Sequence, residues 1–464
     1  MQLPLQLLDS LNDAKGFNKE AFKNVHASGE QITSIRINRA KPSIANSELS
    51  MNDTTQHSSF TIQNKVPWTN SGFYLTTRPS FTFDPLFHAG TYYVQEASSM
   101  FLEQALKQTV DLGKPLKVLD LCAAPGGKST HIKSLISKES LLVSNEVIRS
   151  RANILKDNII KWGCENVVIT NNDPNHFSKL ENYFDVIVID APCSGSGLFR
   201  RDEDAIKEWS ENNVQLCSQR QQRILADVWP ALKENGILIY STCSYSKEED
   251  EEIMDWMMDQ LSVVSCELSI DPQWGIVPVQ SNKGAYGYRF WPDQVKGEGF
   301  FLACFQKKVG EAEADIRYKR KPEQLTKREM EMVEKWVETD GKDFIKYENT
   351  VYAWPTQWVK DFSFLLEQLR VIYSGVLVGE LMRDKMVPDH ALAMSNLVPG
   401  PIEKFELDYE QAIKFLQRKD LALETKNKGW QLFTFHQHPL GWANVLSNRV
   451  NNYYPKEMRI LKDS

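Results

Sequence analysis

Two cysteines in this 464-residue chain stand where a thiol could do covalent chemistry. Cys193 follows Asp190-Ala191-Pro192 and Cys243 follows Ser241-Thr242, each at the end of an apolar stretch that reads as a strand. A thiolate is a strong, soft nucleophile. Carbon 5 of a cytosine is a poor nucleophile until something adds at carbon 6 and makes an enamine. One thiol can make that addition. A base must then remove the carbon 5 proton so that the adduct eliminates, and a second thiol is a candidate. Asp190 beside them could hydrogen-bond the exocyclic amine and ring nitrogen of cytosine, steadying charge in the adduct. Two buried structural cysteines, or a redox disulfide, are the alternatives. Placement at two strand ends facing one site favours catalysis.

The elements that must position these thiols begin at Lys117, with K-V-L-D-L-C-A-A-P-G-G-K-S-T. Residues 117–121 form a short apolar run bounded by turn residues, as a fully buried parallel strand does. Pro125-Gly126-Gly127 forces a tight turn, and helical spacing resumes over 129–136. Strand, glycine turn and helix open a doubly wound α/β domain. The glycines let backbone approach a ligand without a Cβ in the way, and the helix start offers unpaired N–H groups. Two ligands compete for this loop. Gly127-Lys128-Ser129 resembles the end of a phosphate-binding P-loop, but the first glycine of that pattern falls on Cys122, and Pro125 removes an N–H from the cradle. A nucleoside cofactor instead needs a carboxylate about 20 residues on, after the next strand, for the ribose hydroxyls. Residues 141–144 are that strand and Glu146 follows it. The nucleoside reading fits better.

Length predicts two to four domains. Hydrophobic content of 42% and charged content of 25% are those of a globular protein, and no run of 18 apolar residues offers a membrane span. The first ten residues lack a basic region and are broken by Gln and Asp, unlike a signal peptide. Seven cysteines predict free thiols in a reducing, cytoplasmic setting, and without a C-x-x-C pair no zinc site is expected. A net charge of −7 confines any nucleic-acid contact to local patches.

The chain divides into four expected parts. Residues 1–112 form an N-terminal α+β module, in which 32–38 alternates as a half-exposed strand should and 47–59 is a Ser/Asn/Thr-rich loop. Residues 113–308 repeat strand and helix, with strands at 117–121, 141–144, 167–170, 184–190, 236–241 and 300–306. Helices are expected at 148–162 and 212–232. Ser246-Lys247-Glu248-Glu249 is a capping-box pattern, so a helix should start there and run to about 261. Ligands in such sheets bind outside the carboxyl ends of the strands, which selects 122–128, Glu146, Asp173, Asp190–Ser194 and Thr242–Ser244. Residues 309–395 hold a charge-rich stretch over 309–328, which reads equally as a linker or as a solvated helical face, and an intermediate module. Residues 396–464 close the chain; from Thr425 onward six Lys or Arg face two acids, with Arg449, Lys456 and Arg459 interleaved with Tyr453-Tyr454. Such interleaving suits RNA, where bases stack and phosphates pair, although a barrel core with a basic edge would look the same.

Three motifs in this order, D-L-C-A-A-P-G-G-K, D-A-P-C-S-G-S-G and S-T-C-S, resemble the RNA cytosine-5 methyltransferases of the Nol/Nop/Sun family. S-I-R-I-N at 34–38, Q-E-A-S-S at 95–99 and G-E-G-F-F at 297–301 are further echoes, so the resemblance spans at least residues 30–308. It implies a class I, Rossmann-like methyltransferase core binding S-adenosyl-L-methionine through Cys122, Ala123, Ala124, Pro125, Gly126, Gly127, Lys128, Glu146, Asp173 and Asp190. It also implies Cys243 as nucleophile and Cys193 as the thiol assisting release. F-H-Q-H-P-L-G-W-A at 435–443 is similar to the tail of the bacterial 16S ribosomal RNA branch, a PUA-like RNA-binding barrel. A monomer acting on small-subunit ribosomal RNA is expected, with no membrane partner. A tRNA cytosine methyltransferase is the nearest alternative; a P-loop hydrolase or a non-catalytic RNA-binding protein are the others. Glu146 stands where many members have Asp, Asp250 where many have Asn, and Asp293 where His often follows Trp-Pro.

Overall fold

The computed structural model describes residues 3–41, 60–308, 317–319, 321–423 and 427–462. The loop expected at 47–59 lies outside the described residues, as do positions 309–316 and 320 of the expected linker.

The centre is a ten-stranded sheet. Its parallel part is β1 (Lys117–Asp120), β2 (Leu141–Asn145), β3 (Val167–Thr170), β4 (Phe184–Asp190) and β5 (Leu232–Thr242), and β6 (Phe300–Lys307) runs antiparallel beside β5. The spatial order is β6-β5-β4-β1-β2-β3, so the strand order reverses between β1 and β4. Alternate residues feed two cores. Val118, Leu142, Val186 and Ile239 pack on one face, while Leu119, Val143, Ile187 and Leu238 pack on the other. A strand with both faces covered must be apolar throughout, which is why these runs show no polar alternation. Helices α1 (Gly127–Leu135), α2 (Arg149–Trp162), α3 (Glu211–Val228) and α4 (Glu251–Gln260) connect the strands. Gly163, at φ +82, ends α2 in the left-handed conformation that a Cβ disfavours.

Three expectations are corrected. The fifth strand begins at Leu232, because α3 stops at Val228 and a short 3₁₀ turn carries the chain into the sheet. The strand Ser34–Ile37 is buried on both faces rather than half-exposed, since its polar side, led by Arg36, is covered by α1 and α2. The capping box at Ser246 does not form. Residues Lys247–Glu249 make a 3₁₀ turn, Asp250 leaves helical geometry (φ −117, ψ −92), and α4 starts at Glu251. Glu249 is engaged elsewhere, as described below.

Before the core, Ser34–Ile37 sits in a four-stranded antiparallel sheet with Ile62–Lys65, Gly72–Leu75 and Tyr92–Val94. After it come a five-stranded sheet over residues 323–388 and a four-stranded sheet over residues 404–452. Between the strands of the former, Val371–Ser374 leaves to pair antiparallel with β3 and closes that edge of the central sheet. The two ends of the chain share one core: Ile35, Leu86 and Tyr92 pack with Phe415, Phe433 and Tyr454. No helix of the described residues is long and apolar enough to cross a membrane.

Candidate active site

The carboxyl ends of β1, β2, β4 and β5 converge on one mouth, and its first wall is the turn after β1. Gly126 adopts φ +113, and a Cβ there would press to 3.2 Å from Leu155. The loop carbonyls are taken by α2: Arg151 donates to Ala124 O at 2.9 Å and Asn158 to Pro125 O at 2.8 Å. Ala123 N–H donates to Asn145 O at 2.8 Å. The start of α1 is held from the other side by Arg36. Its guanidinium donates to Gln95 Oε1 (2.8 Å), Thr130 Oγ1 (2.6 Å), Ser134 Oγ (3.2 Å) and Gly127 O (3.3 Å), and lies over the Trp162 ring. Burial pulls its pKa down to about 9, with Tyr93 and Glu103 acting in the opposite sense. A cation this deep persists because its donors are satisfied.

Lys128 and Ser129 are both committed to carboxylates. Lys128 Nζ lies 2.8 Å from Asp190 Oδ2 and above the Phe300 ring, and Ser129 Oγ donates to Asp120 Oδ2 at 2.6 Å. A P-loop would aim both side chains at phosphate and its metal. Asp120 is fully buried, its Oδ1 has no partner, and burial raises its pKa to about 7. Glu146, 3% exposed, accepts Ile148 N–H at 2.9 Å and has Arg151 at 3.6 Å. Beside it Val147 and Ile148 stay exposed at 55% and 49%. A carboxylate next to open aliphatic surface fits a ribose and its base, and an unpartnered buried carboxylate oxygen fits a polar end group. S-adenosylmethionine has both. Asp173 lies farther along the rim after β3, capping the next turn through Asn175 N–H at 3.2 Å, with Arg223 at 3.9 Å.

The second wall carries the thiols. Cys193 Sγ and Cys243 Sγ lie 2.9 Å apart, and both are free cysteines, as are the other five. Asp190 pairs in register with Ser241, whose Oγ donates to Asp190 Oδ1 at 2.9 Å, so adjacent parallel strands deliver both sulfurs to one place. The Cys193 thiol is pushed well up, first by its hydrogen bond to Cys243 and then by burial. Cys122 in the first wall is a different case. Burial and the carboxylates of Asp120, Asp190 and Glu146 push its thiol up.

Beneath the thiols is a group that sequence reasoning placed in a helix cap. Glu249 is fully buried and accepts from Ser194 N–H (2.8 Å), Ser194 Oγ (2.5 Å), Ser244 Oγ (2.6 Å) and Gln221 Nε2 (3.2 Å). Burial raises its pKa and these donors oppose the rise. Asp250, the next residue, is also buried; it accepts from Thr242 Oγ1 at 2.7 Å and pairs with Arg289 at 3.2 Å.

A doubly wound sheet with a glycine turn after β1, a carboxylate after β2 and an antiparallel strand set beside β5 has the architecture of a class I methyltransferase. Comparison with known proteins agrees. The 16S rRNA methyltransferase RsmB/F family model matches residues 108–306, the N-terminal domain of 16S rRNA methyltransferase RsmF matches 3–97, and the methyltransferase RsmF PUA domain matches 402–460. Ribosomal RNA small subunit methyltransferase F of Psychromonas ingrahamii is 30% identical over 415 residues, covering 85% of each chain. Its counterpart from Shewanella piezotolerans is 27% identical over 438 residues, covering 92% of this chain and 90% of that one. Among solved structures, a methyltransferase homolog from Pyrococcus horikoshii is 29% identical, with a TM-score of 0.50, over 66% of this chain and all (100%) of that one. NSun6 from the same organism, solved with SFG, shares the fold at 18% identity and a TM-score of 0.54, over 66% of this chain and 98% of its own. The chain belongs to the RsmB/F family of 16S rRNA methyltransferases, with the N-terminal and PUA domains of its RsmF members.

Proposed function

We propose that the protein methylates carbon 5 of a cytosine in 16S ribosomal RNA, with S-adenosylmethionine as donor and Cys243 as the attacking nucleophile. The observation that carries this reading is the pair of free thiols 2.9 Å apart at the ends of neighbouring strands, beside the glycine turn. The cofactor, held by Cys122–Lys128, Glu146, Asp173 and Asp190, supplies an electrophilic methyl group.

The order of events follows from the pair. The two sulfurs share one hydrogen bond; Cys193 keeps the shared proton, and the family resemblance assigns the attack to Cys243. Its sulfur–carbon bond to carbon 6 pushes electron density to carbon 5, which takes the methyl group. Once Cys243 is bound to carbon, neither its hydrogen bond nor its charge holds the Cys193 proton, and both had raised that thiol. The Cys193 thiol then loses that proton to water, its thiolate takes the carbon 5 proton, and the sulfur–carbon bond breaks to return the Cys243 thiolate and the starting hydrogen bond. Asp190, 37% exposed at its side chain, is placed to accept from the cytosine amine while Lys128 and Ser241 fix its rotamer.

Around this core, residues 1–112, 309–395 and 396–464 serve as RNA-contacting modules of a monomeric, cytoplasmic enzyme. Arg449, Lys456 and Arg459 are the phosphate contacts of the last module. The test is a trap. With RNA and cofactor, Cys193→Ala should accumulate a protein–RNA adduct on a denaturing gel and Cys243→Ala should form none. The opposite pattern reverses the roles, and wild-type rates in both variants end the proposal. Bisulfite sequencing of RNA from cells lacking the gene identifies the base, and an unchanged 16S pattern would remove the substrate.

A further inference from the structure

The register of the two strands brings the thiol-bearing loops side by side, and contacts between the loops themselves then fix how the sulfurs meet. Besides the contact of the sulfurs and two longer hydroxyl contacts, at 3.4 and 3.5 Å, three closer ties hold them. Gly197 N–H donates to Cys243 O at 2.8 Å, and Tyr245 N–H donates to Ser196 Oγ at 2.9 Å. The third tie is Glu249, and it is ionisable. One oxygen takes the Ser194 N–H, next to Cys193; the other takes both Ser194 Oγ and Ser244 Oγ, the latter next to Cys243. Gln221, from α3, braces the first oxygen and also donates to Pro192 O at 3.1 Å, and Tyr240 Oη donates to the Glu249 carbonyl at 2.7 Å. The capping geometry that its sequence position favours is given up for this: Ser246 N–H donates to Ser244 Oγ at 3.0 Å, and Ser246 caps nothing.

We propose that Glu249 is a positioning residue for the methyl-transfer site: its carboxylate clamps the Cys193 loop to the Cys243 loop and sets the distance and proton sharing between the two sulfurs. This rests on the cysteine roles assigned above. A neutral side chain of the same shape could hold the loops, because the serine hydroxyls can turn to accept. The carboxylate does more. It places a negative charge next to Cys193, which disfavours a second negative charge there and helps to keep that proton until Cys243 has attacked. The other titratable groups sensing this charge are Cys217 on α3, with Arg220 near it, Tyr240 on β5 and Asp250, which Arg289 balances.

Three variants, Glu249→Ala, Glu249→Gln and Glu249→Asp, separate clamp from charge. The first readout needs no RNA: the pH dependence of iodoacetamide alkylation at Cys193 and Cys243, resolved by peptide mass spectrometry. The second is single-turnover methyl transfer, with cofactor affinity and melting temperature measured alongside. Loss of the clamp in Glu249→Ala should slow methyl transfer about 100-fold, as expected for reacting groups displaced by an ångström, with cofactor affinity retained. Glu249→Gln should stay within about tenfold of wild type, since its amide can keep the loops together. Its alkylation midpoint at Cys193 should move to lower pH. Glu249→Asp, with a shorter reach, should restore the wild-type midpoint but not the rate. The proposal is overturned if Glu249→Gln leaves the alkylation midpoint in place and Glu249→Ala keeps the wild-type rate. It is equally overturned if Glu249→Ala loses rate only in proportion to cofactor affinity. Should Glu249→Ala fail to fold, the alkylation shift in Glu249→Gln decides. A wild-type enzyme that methylates no cytosine would end the functional reading alone, because alkylation still reports whether Glu249 couples the sulfurs.

Discussion

The two walls of the mouth are built on opposite plans. The wall after β1 and β2 is open: Val147 and Ile148 are exposed, and Asp120 keeps an oxygen without a partner. The wall after β4 and β5 is closed: Ser194, Ser244, Gln221 and Glu249 satisfy one another beneath the sulfurs. A reversible ligand gains affinity from surface and polar atoms left unmatched in its absence. A covalent step gains rate from atoms that cannot move apart. One sheet supplies both because the two walls stand at the ends of different strands.

Substitutions on the two walls should therefore fail differently. The largest effect belongs to Cys243→Ala, which should lower methyl transfer by about 10⁴-fold or more while calorimetry finds cofactor affinity unchanged. A matching loss of cofactor binding would show that the walls are one unit. Next is Glu146→Ala, which should weaken S-adenosylmethionine by roughly 1.5–3 kcal/mol, the value of a charge-assisted hydrogen bond, and leave RNA affinity in place. Equal losses for both ligands would make Glu146 structural.

Asp120→Asn probes what the open wall costs the fold. A carboxylate raised from 3.8 to about 7 binds its proton more tightly folded than unfolded. The wild type should therefore lose stability as pH rises from about 4 to about 7. Urea titrations of Asp120→Asn across that window should show a flatter profile; an identical slope would mean that Asp120 ionises freely. The smallest effect on either wall is expected from replacing Arg449, Lys456 and Arg459 together by Ala. RNA affinity should fall and its salt slope should shrink by up to about three, with cofactor affinity and the Cys193→Ala trap on saturating RNA intact. Point changes are the right probe here, because removing residues 396–464 would strip Phe415, Phe433 and Tyr454 from the core they share with Ile35 and Tyr92.

The open wall was legible in sequence. A glycine turn after an apolar run and a carboxylate after the next one are local patterns, and the structure brings Gly126, Glu146 and Asp190 to one mouth. The cysteine pair was legible too, because both follow strands whose apolar character is continuous. What escaped depends on partners distant along the chain. Glu249 satisfies every local rule for a capping box, yet its best donors come from the Cys193 loop 55 residues away. The strand Ser34–Ile37 alternates like a surface strand, yet Arg36 is covered by helices about 95 residues later. Asp250, which stands where many family members have Asn, lies directly behind Thr242 in a buried ion pair. The strand Val371–Ser374 had no signal, since nothing local distinguishes an edge strand that pairs across 200 residues.

The core shared by the two ends of the chain has a consequence for synthesis. Ile35, Leu86 and Tyr92 leave the ribosome early, but the Phe415, Phe433 and Tyr454 side chains that cover them emerge some 300 residues later. At about 5–20 residues per second that delay is roughly 15–60 s or more. During it the first module has an uncovered apolar face, a natural holding point for a chaperone. The segment from Phe415 to Tyr454 therefore acts as a timer: the first module is covered only once that segment has been made.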